Sequence, residues 1–403
     1  MKVISQEKES VRTQLSAIFN KNKIQYTMIA VLLLIWIIFA IVIGMHFLSF
    51  RNLSNLFIQM VPVAVLACGM LLVMISGNID LSVGSVCGAM GAMVAVLMVR
   101  YGLNPVMAII FTLFFGFLVG AVYGFLIAYV RFPAIIVTLA GFIFYRGLTM
   151  LLPQNQGMLG NFSPSFREIG LNYLPEWFLQ EGNNFSSITI LIPLAAVLIF
   201  IIKEIYVRVK RTSIGFPVLN PSLLLLKIIA ISFVIIGIGY IFFRYQGIPY
   251  AFIILLVIIG ITHIILNRAP VGRHIYATGD NREATRLSGI NTKNTQLYVF
   301  MLMGVFCAVS AIVTTSRNGY ATTGVGNHFE IDAINTIAAC LIGGTSMAGG
   351  IGTLFGAIIG ALIVTSIDSG MSLMNLTATY QYLAKGIVLL LAIFIDTYFN
   401  KRK

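Results

Sequence analysis

The sequence predicts an all-α, polytopic membrane protein with about ten to twelve transmembrane helices. Three observations predict it. Hydrophobic residues fill 59% of the 403 positions and charged residues only 10%, against about 25% charged in an ordinary soluble domain. Apolar runs recur along the whole chain, most of them near the roughly 20 residues that cross a bilayer. Lys and Arg are sorted between alternate connecting segments. The same composition excludes a soluble enzyme, a disordered tail and a nucleic-acid-binding domain, although the net charge is +13. Four cysteines in this length exclude a disulfide scaffold.

Twelve crossings are expected, near 26–47, 56–76, 82–99, 105–129, 133–152, 188–202, 222–243, 249–266, 297–315, 331–344, 350–368 and 380–398. The sixth and tenth are short, so they read as partly re-entrant or extended by flanking residues. With 1–25 placed in the cytoplasm, alternation puts 130–132, 203–221, 267–296 and 399–403 inside. Eighteen of the 26 Lys and Arg residues then lie inside and five outside: Arg51, Arg100, Arg167, Arg244 and Arg317. That asymmetry follows the positive-inside rule. The short tenth segment counts as a crossing, because without it the tail Lys401-Arg402-Lys403 would fall outside. The first span is too long for a signal-peptide core and has no small-residue cleavage site behind it, so it is expected to be retained. The chain thus reads as a cytoplasmic segment 1–25, one transmembrane domain 26–398 and a cytoplasmic tail 399–403.

Two connections are sizeable: an outer loop 153–187, carrying Trp177, and an inner loop 267–296. Neither has the length to bury a catalytic core. There is no phosphate-binding G-x-x-x-x-G-K-[ST] and no H-E-x-x-H. Three of the four histidines, His46, His263 and His328, are scattered with no ligand partner at helical spacing, and Cys68, Cys87, Cys307 and Cys340 read as small packing residues. The expectation is a non-enzyme with no metal and no cofactor, whose work is movement across the bilayer.

Two segments about 268 residues apart resemble each other. Gly84-Ser85-Val86-Cys87-Gly88-Ala89 follows the polar break Ser76 to Ser82. Gly352-Thr353-Leu354-Phe355-Gly356-Ala357 follows the break Gly343 to Gly350. Paired Gly-interrupted segments point to a transport pathway. Gly84, Gly88, Gly352, Gly356 and Gly360 read first as helix–helix packing positions. The polar breaks ask for more, since non-helical backbone at membrane depth needs protein or a water-filled cavity around it. Candidate pathway residues are Asn78, Asp80, Ser82, Gly84, Gly344, Thr345, Ser346 and Gly349. Asp80 reads as a helix cap, compatible with lining the pathway. Arg146, deep in the fifth span, is expected to pair with Asp368; Lys227 and Lys385 are expected to snorkel.

In the inner loop, Gly279-Asp280-Asn281-Arg282-Glu283-Ala284-Thr285-Arg286-Leu287-Ser288-Gly289-Ile290 predicts a short helix. Asp280 is the expected N-cap, Glu283 completes a capping box and Gly289 is the stop. Ala284, Leu287 and Ser288 would form a small face, with Arg282 and Arg286 standing off it. Such a helix suits either a groove on a cytoplasmic partner or the lipid interface.

These residues carry a resemblance. Gly77-Asn78-Ile79-Asp80-Leu81-Ser82-Val83-Gly84-Ser85 resembles the G-x-I-D-L-S-V-G-S stretch of monosaccharide ABC importer permeases of the ribose/galactose/xylose class. The 279–290 stretch resembles that family's cytoplasmic G-x-N-x-E-A-A-R-L-S-G-I, with Thr285 in place of the second Ala. Ile331-Asp332-Ala333-Ile334-Asn335-Thr336-Ile337-Ala338-Ala339 is similar to L-D-A-I-A-A with three residues added. Ile342 to Gly350 resembles I-G-G-T-S-L-A-G-G. The extra segment 203–245 and the stretch Asp368 to Met374 look like the longer xylose-type branch.

The resemblance implies a bacterial inner-membrane permease with both termini cytoplasmic, working as two copies around the pathway. It also implies a cytoplasmic ATPase that supplies energy and an extracellular binding protein that delivers the sugar. Asp280, Asn281, Arg282, Glu283, Ala284, Arg286, Leu287, Ser288 and Gly289 would then contact the ATPase. A secondary, ion-coupled transporter is the competing class, disfavoured by the scarcity of buried acids. A membrane scaffold would not need the polar breaks.

Overall fold

A computed structural model describes residues 22–153, 158–175, 187–216, 218–322, 328–377 and 379–387, together with Phe19 and Leu390. Most of the expected segment 1–25, Trp177, most of 388–398 and the tail 399–403 lie outside the described residues.

Among the described residues the regular structure is helical, apart from one pair of three-residue strands. In order it forms α1 (Lys23–Val42), α2 (Phe50–Ile75), α3 (Val83–Val99), α4 (Pro105–Ala128), α5 (Ala134–Leu151), β1 (Met158–Gly160), α6 (Pro164–Leu171), α7 (Ser187–Ser213) and α8 (Pro221–Phe243). There follow α9 (Tyr250–Asn267), α10 (Pro270–Asp280), α11 (Arg282–Leu287), α12 (Thr292–Asn318), β2 (Tyr320–Thr322), α13 (His328–Ile342) and α14 (Leu354–Leu373). Among the described residues nine helices are long and apolar enough to cross a membrane: α1, α2, α4, α5, α7, α8, α9, α12 and α14. The chain is an all-α polytopic membrane protein.

Two expectations need correction. The sixth crossing is extended by its flanking residues rather than re-entrant: α7 runs 27 residues to Ser213, so Lys203, Arg208, Lys210 and Arg211 lie within its helix rather than in a loop. Its second half is polar, which hides its length from a hydropathy reading. The third crossing falls short instead, since the 17 residues of α3 rise only about 25 Å against a ~30 Å hydrocarbon core. Within the loop 153–187, β1 pairs antiparallel with β2, Leu159 opposite Ala321. Phe162 and Phe166 bury beside Val94, Ala95, Ala108 and Ile312.

The chain divides into two compact units. One comprises residues 1–27 and 173–248, and its core is the pair α7 and α8. Gly239 of α8 is where these helices touch, since a Cβ there would run into the Pro193 ring of α7. Lys227 has an ion-pair partner: its Nζ meets Glu204 Oε1 of α7 at 2.8 Å.

The other unit comprises 28–172 and 249–403. Its centre is α2, where every residue from Met60 to Ile75 is buried. A helix apolar all round is stable only when covered all round. α12 packs along α2, α3 and α4. The Ser310 hydroxyl donates to the Pro62 carbonyl at 3.2 Å, and the Cys87 thiol reaches the Cys307 carbonyl at 3.4 Å. All four cysteines are buried and unpaired by disulfides. α4 meets α12 through glycine, a Cβ on Gly116 standing 2.9 Å from Ala308 Cβ. α1 leans on α14, where Trp36 Nε1 donates to Ser366 Oγ at 2.9 Å.

Candidate functional site

The helix breaks expected at 76–82 and 343–350 are both present. At the first, α2 ends at Ile75, and Gly77 takes the left-handed conformation (φ +81°) that glycine adopts without strain. The Asn78 N–H then donates back to the Val73 carbonyl at 3.1 Å. Asp80 is buried, and its Oδ1 accepts from the Ser82 N–H at 2.8 Å and from the Ser82 hydroxyl at 2.6 Å. This is a local side-chain-to-backbone turn. It satisfies donors just ahead of α3, while Ser82, at the N-cap position, makes no side-chain cap bond of its own.

At the second break, Gly344 (φ +75°) and Thr345 return their N–H groups to Leu341 and Cys340 carbonyls. The Ser346 N–H donates to Ile351 at 3.0 Å, and the Ser346 hydroxyl accepts from the Ala348 N–H at 3.2 Å. Thr353 then caps α14, accepting from the Gly356 N–H at 3.1 Å. Thr345 is fully buried and its hydroxyl has no partner among the described residues.

Three of the glycines after the breaks, Gly84, Gly356 and Gly360, pack against one helix and its extension. Gly84 of α3 faces Phe329 and Ala333 of α13, a Cβ there standing 2.9 Å from Ala333 Cβ. Gly356 and Gly360 of α14 face Gly343 and Ala339, on the same α13 chain segment and its extension. α13 is thus held between the two repeated elements, and only small residues allow this backbone approach.

The structure brings the two breaks into contact: the Gly350 N–H donates to the Ile75 carbonyl at 2.9 Å, and a Cβ on Gly349 would lie 3.0 Å from Gly77 Cα. Asp80, Ser82, Gly84, Thr345 and Ser346 are buried in protein, whereas Asn78, Gly344 and Gly349 keep partial exposure. A small cavity lies elsewhere, lined by Ile334, Asn335, Ala338, Val364, Asp368 and Lys385; none of the expected pathway residues lines it.

The expected pair of Arg146 and Asp368 does not form. Asp368 accepts from Asn335 Nδ2 at 2.8 Å and lies 3.0 Å from Lys385 Nζ, so Lys385 is its ion-pair partner. The Arg146 guanidinium stands 5.9 Å from the Phe142 ring centroid. Asn335, one of three residues that lengthen the 331–339 stretch, was the available signal for Asp368, but nothing in the sequence points to Lys385.

The 279–290 stretch splits differently from expectation. α10 continues through Asp280, so Asp280 is not the cap. Asn281 is: its backbone is extended, and its side chain accepts from the Ala284 N–H at 2.9 Å. Without the capping box, Glu283 pairs with Arg286 instead, with Arg286 Nε donating at 3.1 Å and Nη2 at 2.5 Å. That guanidinium holds the Glu283 carboxyl below its ordinary range. Gly289 stops the helix as expected, at φ +83° with open space around it. Asn281, Arg282, Glu283, Ala284, Arg286, Leu287, Ser288 and Gly289 are all exposed. Only Thr285 is buried, and its hydroxyl contacts the Ala277 and Asn281 carbonyls at 2.7 and 2.8 Å. Leu287 is 74% exposed, so α11 presents an apolar, uncovered face held by one inward threonine.

Comparison with known proteins places this architecture. Residues 52–393 match the family model described as branched-chain amino acid transport system, permease component. The chain is 36% identical to the xylose transport system permease protein of Haemophilus influenzae, over 94% of this chain and 97% of that protein. It is likewise 36% identical to the Escherichia coli xylose transport system permease protein, over 94% and 92%. Identity to the Haemophilus influenzae ribose import permease protein is 30%, over 94% of each chain. No solved structure matches the chain. The chain belongs to the permease-component family of these transport systems, a group of multi-pass membrane subunits of ABC importers that includes sugar permeases.

Proposed function

We propose that this protein forms the translocation pathway for a monosaccharide of the xylose or ribose kind in a bacterial ABC importer. The observation that carries the reading is the pair of helix breaks, in contact with each other, within a chain 36% identical to xylose permeases over 94% of its length. Two copies enclose the pathway, and the breaks 76–82 and 343–350 supply its polar backbone. Asn78, Asp80, Ser82, Gly84, Gly344, Thr345, Ser346 and Gly349 build or line it. A neutral sugar needs hydrogen bonds rather than counter-charges, which suits hydroxyl, amide and bare glycine backbone.

Energy comes from a separate cytoplasmic ATPase docked on α11, through Asp280, Asn281, Arg282, Glu283, Ala284, Arg286, Leu287, Ser288 and Gly289. An extracellular binding protein delivers the sugar. Residues 26–398 form one permease domain, and the sorting of Lys and Arg supports cytoplasmic termini.

The test is sugar uptake by the permease reconstituted with its ATPase and binding protein. Uptake is expected to require ATP and to continue when the proton gradient is collapsed. Uptake by the permease alone under a pH gradient would assign it to ion-coupled transport.

A further inference from the structure

The C-terminal end of α10 lies against both helix breaks. Gly279 sits at the contact: a Cβ there would run into the Ile75 carbonyl oxygen and stand 2.7 Å from the Gly350 nitrogen. Approached from the other side, a Cβ on Gly349 would lie 2.7 Å from the Gly279 carbonyl oxygen and 3.0 Å from Gly77 Cα. Gly350 is equally close to Asp280, a Cβ there standing 3.1 Å from Asp280 Cα. The end of α2, the segment before α14 and the end of α10 therefore meet as bare backbone.

Two polar ties fasten the junction. Ile75, the last residue of α2, has one of the carbonyls that a helix end leaves unpaired, and the Gly350 N–H donates to it at 2.9 Å. The Tyr276 hydroxyl of α10 donates to the Gly352 carbonyl at 2.8 Å.

α10 is in turn clamped to α11. Only Asn281 separates them, and the Thr285 hydroxyl, buried beneath α11, contacts the Ala277 carbonyl of α10. A displacement of α11 is then passed to α10 rather than absorbed between them. At this same end of α10, Gly279 presents no side chain to compress, only backbone against backbone, and close-packed backbone transmits displacement.

We propose that Gly279 is a positioning residue for transport, the joint through which movement of the exposed helix α11 reaches both helix breaks at once. Tyr276 is its second tie. Gly279 touches no solute; it sets the position of the 76–82 and 343–350 segments relative to α11. The inference rests on the reading of α11 as the ATPase-docking helix.

The test uses the full permease in proteoliposomes with its ATPase and binding protein. Three quantities are read: ATPase retained by the permease, stimulation of ATP hydrolysis by sugar-loaded binding protein, and sugar uptake. Gly279→Ala leaves the α11 surface untouched, so ATPase retention is expected to match the wild type. Stimulation and uptake are expected to fall by on the order of tenfold, because the added methyl forces the three backbones apart. Tyr276→Phe, which conserves volume and removes one hydrogen bond, is expected to give the same split at smaller amplitude.

Wild-type stimulation in Gly279→Ala overturns the proposal. So does a loss of ATPase retention that parallels the loss of stimulation, which would mean that Gly279 merely shapes the docking surface. If Gly279→Ala does not reach the membrane, Tyr276→Phe decides: unchanged stimulation overturns the joint, and reduced stimulation with full retention supports it. A wild-type permease that retains no ATPase refutes the docking role of α11 itself, a different failure.

Discussion

Asp80 shows how much one side chain can organise. It is buried at a helix break, and a single carboxylate oxygen serves both donors of Ser82. Asp80→Leu would leave a buried N–H and a buried hydroxyl without that acceptor, at about 1–3 kcal/mol for each unsatisfied group. Asp80→Asn keeps an oxygen in the same place. The expected order of thermal stability in detergent is wild type, then Asn, then Leu, with sugar uptake following the same order. Equal stability of the Leu variant would remove Asp80 from any role in holding the break. At this scale the sequence was informative: an acid between two apolar helices stands out. The identity of the Asn281 cap was not legible, because Asp280 and Asn281 are both good caps, and the choice depended on α10 running to Asp280.

At the scale of elements, α11 is six residues long and exposed on every side but that of Thr285. An isolated helix this short does not hold itself together in water. Its shape depends on the Asn281 cap, the Gly289 stop and the Thr285 hydroxyl. Asn281→Ala removes the cap, worth ~0.5–2 kcal/mol. Gly289→Val places a β-branched residue at φ +83°, where such residues are strained. The double variant is expected to insert normally in the membrane and to lose most of its ATPase in pull-down. Undiminished recovery of the ATPase would mean that 281–289 is not the docking helix. The stop was readable from Gly289, because a glycine after a short amphipathic run has a local conformational reason. The burial of Thr285 was not, since it depends on the underlying α10.

At the scale of the whole molecule, polar contacts among the described residues tie distant segments inside an apolar body. The pair of Lys385 with Asp368 is the clearest: it joins the helical stretch 379–387 to α14, with side chains 10% and 23% exposed. Lys385→Met would leave the Asp368 carboxylate with Asn335 but without its counter-charge. The cost is expected to be about 1–3 kcal/mol, below the ~3–5 of a fully buried pair, because Asp368 keeps some contact with solvent. Lys385→Met combined with Asp368→Asn should recover part of the lost thermal stability. A double variant less stable than Lys385→Met alone would show that the pair is not what holds this helix.

By itself the sequence determined that the chain is an all-α membrane protein and that two glycine-rich breaks interrupt its helices. Hydropathy, helix caps and glycine stops are local properties, written in consecutive residues. Only the tertiary structure decided that Lys385, and not Arg146, faces Asp368, and that α13 is held between α3 and α14. It alone decided that Ile75, Gly279 and Gly350 meet. Those contacts join residues up to about two hundred and seventy positions apart. An apolar helix that is greasy all round carries no periodic mark of which neighbour each face will meet, so partners there are chosen by packing and not by pattern.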